Sequence, residues 1–171
     1  MLVLALLVGT ACGSNAEPDA APTTSAVDEP PVTADPGVPE ALRFRASRVG
    51  GGEIDMSTLA GKPVVMWVWA PYCSFCNLEA PSVEAAAQRW AGQAEFVGVA
   101  WLGSDTEFQG FIDTHHLSFT QLSDDAGAVY DRFEIPYQPA VVVVAPDGEV
   151  ETLYGAADEA VLDQLVGDAL A

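Results

Sequence analysis

An α/β fold, with a central mixed β-sheet and helices on both faces, is what this sequence predicts. Three observations carry the expectation. Apolar strand-like runs alternate with segments of helical composition from about residue 41 onward. One run, "VVMWVWA", is continuously β-branched and aromatic, which suits a strand buried on both faces. The last two runs are joined by "PDG", a hairpin signal, and this makes an otherwise parallel alternation a mixed sheet.

The elements follow in order. "ALRFRASRV" alternates apolar and polar residues, and "GGGEIDM" supplies a turn and a short second strand, so an N-terminal β-hairpin is expected. "GKPVVMWVWA" is the buried strand, and "SFCNLEAPSVEAAAQRWAG" is a helix ending at Gly92. Then come strand "AEFVGVAWL", helix "DTEFQGFIDTHH", short strand "SFTQLSD" and helix "AGAVYDRF". "PAVVVVAPDGEVETLY" forms the closing hairpin. "DEAVLDQLVGDAL" places Val161, Leu162, Leu165, Val166 and Leu170 on one face of a last amphipathic helix.

Composition bounds the function. At 171 residues the default is one domain with some spare chain. The chain has 25 acidic against 6 basic residues, a net charge of −19, so nucleic acid and anionic lipid are discounted as partners. Such a surface is first of all a solvated one. The opening "MLVLALLVGTAC" is too short to span a bilayer and reads as the apolar core of an export signal, residues 1–12. It resembles a bacterial lipoprotein signal, which implies lipid attachment at Cys12 and a membrane anchor through that lipid. No Lys or Arg precedes the apolar run, and Gly9 replaces the usual aliphatic residue, so a plain secretory signal stays open. Either way the protein is expected outside the cytoplasm, where disulfides persist. Residues 13–40 hold half of the chain's twelve prolines and six acids but no base, and are expected to be a disordered tether. Residues 41–171 are the expected domain.

The chemistry lies in "WAPYCSFC", where a buried strand stops and a helix begins. Two cysteines three residues apart can make a redox disulfide, half a metal site or an inert bond. At a helix start, Cys73 meets unpaired backbone N–H groups and the positive end of the helix dipole, and both favour the nucleophilic thiolate. Cys76 lies one turn on, on the same face and less exposed. Cys73 is therefore the expected attacking sulfur and Cys76 the resolving one. Tyr72 and Phe75 flank the attacking sulfur and are expected to form an apolar rim that receives unfolded polypeptide.

"WAPYCSFC" followed by "NLEAP" resembles the thioredoxin superfamily, in particular its extracytoplasmic TlpA/DsbE-type branch and the DsbE- and DsbF-like proteins of actinobacteria. The match covers nearly all of residues 41–171. It implies a thioredoxin-like three-layer fold with a helix-strand insertion at "SDTEFQGFIDTHHLSFTQLSD". Trp69 and Ala70 stand where the family has Trp-Ala before the motif, and Pro81 matches its helix-kinking proline. "FEIPYQPAVVVV" places the family's cis-proline at Pro139, with Pro136 as the other candidate.

Two departures bear on chemistry. Thioredoxins carry a buried Asp six residues before the first cysteine, whereas Trp67 stands there in this chain. Glu79, one turn after Cys76, is a candidate proton acceptor by spacing, although an exposed Glu is the ordinary expectation on such a helix. Between the cysteines stand Ser74 and Phe75, neither the Gly-Pro of reducing thioredoxins nor the Pro-His of the oxidant DsbA, and neither carries charge.

Other site chemistries fare worse. A metal would need four soft ligands, and beyond the pair only Cys12 and the adjacent His115 and His116 remain, the histidines being expected to face solvent. An inert disulfide across so short a loop contributes little stability. A peroxidatic cysteine would not require a second cysteine one turn on. The expected function is extracytoplasmic thiol–disulfide exchange with no cofactor, oxidising cysteines of exported proteins. Its expected partners are those proteins and a membrane redox partner, and the chain is expected to be a monomer. Reduction of apocytochrome c thiols is the alternative, and a non-catalytic binding module the second.

Overall fold

The computed structural model describes residues 37–171. The expected export signal, the lipid site at Cys12 and nearly all of the expected tether lie outside the described residues. Val38 already packs on the core, and Pro39 precedes a 3-10 turn at Glu40–Leu42, so the fold takes up the last residues expected for the tether. That turn buries Leu42, and Arg132 holds it by donating to the carbonyls of Glu40 and Ala41. The first strand is correspondingly shorter than its alternation predicts. It comprises only Arg45–Ser47 (β1), paired with Glu53–Asp55 (β2) as the expected hairpin.

The remaining elements follow the predicted order. A 3-10 turn, Met56–Leu59, leads to β3 (Val64–Trp69) and α1 (Ser74–Arg89). Then come β4 (Glu95–Ala100), α2 (Asp105–His115), β5 (Thr120–Ser123) and α3 (Ala128–Arg132). The chain closes with β6 (Ala140–Val144), β7 (Val150–Tyr154) and α4 (Glu159–Ala169). α1 stops three residues short of Gly92, and the Trp90 N–H closes its last turn on the Ala86 carbonyl.

Five strands form the central sheet in the order β5-β4-β3-β6-β7. β3, β4 and β5 run parallel, while β6 is antiparallel to β3, and β7 to β6. The β1–β2 hairpin leans on the β5 edge, where the Val49 N–H donates to the Gln121 carbonyl at 3.0 Å. This covers backbone groups that an open edge would leave unpaired.

β3 shows why the continuous apolar run was needed. All six of its residues are buried, and they alternate between two cores. Val65, Trp67 and Trp69 face α1, α2 and α4, whereas Val64, Met66 and Val68 face α3 and the two 3-10 turns. Helical layers therefore cover both faces, with three of the four α-helices on the side that carries the cysteines. The two β3 tryptophans fill that side. Trp69 stacks on Phe111 at 4.2 Å and 19°, and its indole N–H donates to Gln121 Oε1 at 3.0 Å. Gly98 on β4 makes room for this pair, since a Cβ there would meet the Gln121 amide and come within 2.9 Å of the Trp69 indole nitrogen.

Candidate active site

The site stands at the end of β3, where the chain leaves the sheet. The Cys73 N–H closes a turn on the Ala70 carbonyl at 3.1 Å, and Cys73 then becomes the N-cap of α1. Its backbone is extended (φ −76°, ψ 111°), so its side chain folds back over the first turn of the helix. The Cys76 N–H donates to Cys73 Sγ at 3.1 Å. One of the unpaired N–H groups at the helix start is thus aimed at the sulfur, as the sequence position implied. Cys73 and Cys76 form a disulfide with their Cα atoms 5.2 Å apart. Cys73 retains 8% exposure and Cys76 none, so only the first sulfur can be approached from outside.

The two residues expected to form the rim are both exposed. Tyr72 and Phe75 are 61% and 63% exposed, and Leu78 and, in the segment before β6, Tyr137 are exposed as well. Residues 63–78 and 135–146 contain no charged side chain, so the chain segments that build this surface are neutral in a strongly acidic protein. Pro139 follows a cis peptide bond from Gln138, whereas Pro136 does not. Gln138 also donates to the Tyr72 hydroxyl at 3.0 Å, which connects the cis-proline segment to the cysteine loop. Ser74 is exposed at the first helical position, Trp69 is fully buried beneath the loop, and Pro81 lies inside α1.

Glu79 departs from its ordinary expectation. It is buried, at 6% exposure, on the face of α1 that also buries Cys76, Ala80 and Val83. Its Oε1 accepts from the Trp67 indole at 2.6 Å and its Oε2 from the Ala157 N–H at 2.8 Å. Burial raises the pKa of its carboxyl, while the two hydrogen bonds pull the other way. Trp67 therefore does more than fill the position where thioredoxins have an acid: it binds an acid supplied from the next helix. No local pattern announces this, because its second ligand, Ala157, is 78 residues away.

The histidines divide. His116 is exposed in a left-handed conformation at the end of α2, as expected for a solvent-facing residue. His115 is instead half-buried, its ring 4.4 Å from that of Phe111, and burial lowers its pKa. It contacts Asn77 of α1, a residue that sequence reasoning did not single out. Gln121 and Gln138 were likewise missed, since each acts through a partner more than fifty residues away.

This arrangement can do one kind of chemistry well. A reachable sulfur at a helix start can be attacked or attack, and a buried sulfur one turn away can close the disulfide again. Fold and site together define the class: a thioredoxin-like protein with a disulfide at a helix start. The chain belongs to the AhpC/TSA family, whose model matches residues 39–153. It is 41% identical over 110 residues to the soluble secreted antigen MPT53 of Mycobacterium tuberculosis, a match spanning 64% of this chain and 62% of that protein. Among solved structures, mycobacterial DsbF in its mixed oxidised and reduced forms superposes with a TM-score of 0.73 at 36% identity, covering 77% of this chain and 98% of that one. A secreted M. tuberculosis disulfide oxidoreductase homologous to E. coli DsbE gives 0.68 at 35% identity, covering 77% and 97%. These findings agree with the resemblance read from the sequence.

Proposed function

We propose that the protein is an extracytoplasmic thiol–disulfide oxidoreductase that oxidises cysteines of exported proteins. The observation that carries this reading is the Cys76 N–H donated to Cys73 Sγ at the start of α1. A donor held there stabilises the thiolate, hence the reduced form, and a stabilised reduced form makes the disulfide an oxidant. A substrate thiolate attacks the accessible edge of the Cys73 sulfur and releases Cys76 as thiolate. A second substrate thiolate then displaces Cys73 from the mixed disulfide, leaving an oxidised substrate and a reduced enzyme. The neutral aromatic rim suits an unfolded chain that presents apolar residues around its cysteine. The secreted location of MPT53 supports the extracytoplasmic setting. A membrane redox partner would return the cysteines to the disulfide, and the protein would work as a monomer.

One observation favours the second reading, reduction of apocytochrome c thiols. Buried Glu79 supplies the carboxylate that was missing from the Trp67 position, and a proton acceptor one helical turn from Cys76 serves a reductant well. Equilibration in glutathione buffers separates the two. A potential less negative than thioredoxin's, which lies near about −270 mV, is expected, together with oxidation of a reduced test protein. A potential at or below that value, with vigorous insulin reduction, would transfer the assignment to the reductant reading.

The anchor belongs to the same proposal. Cys12, preceded by the apolar opening segment, is the lipid attachment site, and the chain between it and Gly37 is the tether. Fatty-acid labelling in cells is expected to mark the wild type and not Cys12→Ala. Absence of label from both would leave a secreted protein without an anchor.

A further inference from the structure

The geometry points to Asn77 and His115 as a positioning pair that latches the cysteine loop to α2 and so sets how well Cys73 ionises. Asn77 Nδ2 donates to the carbonyls of Cys73, at 2.9 Å, and Pro71, at 3.2 Å. Two carbonyls on one end of an amide require that end to be the nitrogen, so Oδ1 must face a donor. That donor is His115 Nε2, 3.0 Å away. The imidazole carries its proton on Nε2 when neutral and keeps it there when cationic, so the contact does not depend on the charge of His115.

Both ends of the latch are anchored. His115 is the last residue of α2, its ring lies on Phe111, and Phe111 stacks on Trp69 directly before the loop. At the other end, the Cys73 carbonyl accepts both the Asn77 side chain and the Asn77 backbone N–H, the latter at 3.1 Å. Holding this carbonyl holds the Cys73 ψ angle, and that angle sets where Sγ sits relative to the Cys76 N–H. A looser carbonyl lets the sulfur leave its donor for part of the time, and the thiolate is then less stabilised. Neither residue touches the reacting sulfur through its side chain, so both act by positioning.

The test compares three variants of the reduced and oxidised full-length protein. His115→Phe keeps a ring over Phe111 but cannot donate, His115→Gln restores an N–H donor, and Asn77→Leu removes the clamp. The readouts are thiolate absorbance against pH and the equilibrium with glutathione. Loss of one solvent-accessible hydrogen bond in His115→Phe is expected to lower the ionisation constant of the Cys73 thiol about threefold. The glutathione equilibrium should move toward the protein disulfide by a similar factor, because the reduced form has lost stability. Asn77→Leu should do at least as much, and His115→Gln should return both readouts to wild type. Ionisation in His115→Phe equal to wild type would refute the latch, as would a His115→Gln protein no better than His115→Phe. If Asn77→Leu melts at a much lower temperature, the two histidine variants decide the matter alone. Mass mapping of the first-alkylated cysteine keeps the role of Cys73 separate: label on Cys76 would sink the order of attack, not the latch.

Discussion

Cys73→Ser is expected to reduce dithiol–disulfide exchange to the uncatalysed background, while Cys76→Ser accumulates mixed disulfides with substrate. The asymmetry follows from access. Cys73 caps α1 and keeps an exposed edge, whereas Cys76 is sealed inside the first turn. An incoming thiol can therefore form its bond only with the first sulfur. With Cys76 gone, the Cys73 thiolate attacks a substrate disulfide and releases one substrate thiolate, and the mixed disulfide so formed has no internal nucleophile to resolve it and persists until an external thiol arrives. Non-reducing gels and intact-mass spectra read the trapped species directly. Trapping by Cys73→Ser instead of Cys76→Ser would reverse the order of attack.

The largest loss of stability is expected from Glu79→Ala. The carboxylate accepts from two buried donors, the Trp67 indole and the Ala157 N–H, and its removal leaves both without a partner. Each orphaned buried donor costs about 1–3 kcal/mol, so a loss of about 2–6 kcal/mol should appear in urea unfolding. The pH dependence has a definite sign. Because burial raises the carboxyl pKa above its unfolded value, the folded protein binds the extra proton more tightly. The stability that this proton lends is complete below the unfolded pKa and is lost as pH rises through the folded one. Wild type should show that decline above pH 4.5, the unperturbed value, and Glu79→Gln should show a smaller one, left by the buried Asp124. If Glu79 also accepts the Cys76 proton, Glu79→Gln should slow resolution of the mixed disulfide by about 10²-fold, the lower end for a positioned general base. An unchanged resolution rate would confine Glu79 to a structural role.

The two experiments probe different depths of one site. The cysteines belong to local chemistry, namely a nucleophile, its position on a helix and the spacing to its partner. Glu79 belongs to a network joining β3, α1 and the turn before α4. The latch from Asn77 to His115 is of the same kind and joins α1 to α2. In each, a polar side chain on α1 is engaged by a partner that arrives from elsewhere in the chain.

That division marks what the sequence determined alone. Element order, the buried β3 run, the closing hairpin and the placing of Cys73 at a helix start all depend on neighbours within about ten residues. Hydrophobic periodicity and turn chemistry act over that range, so they could be read directly. The cis-proline position came through the likeness to a family, not through local propensity. Tertiary structure decided which polar groups are buried and what they touch. Glu79 looked like a solvent-facing residue because nothing near it in sequence requires an acid; Trp67 and Ala157 require it only once β3 and the segment before α4 have been packed against α1. The first strand is shortened for a similar reason, since Leu42 is buried in a 3-10 turn within the core that Val64, Met66 and Val68 line. A buried donor or acceptor must find a partner wherever the fold brings one, and sequence distance does not enter that requirement.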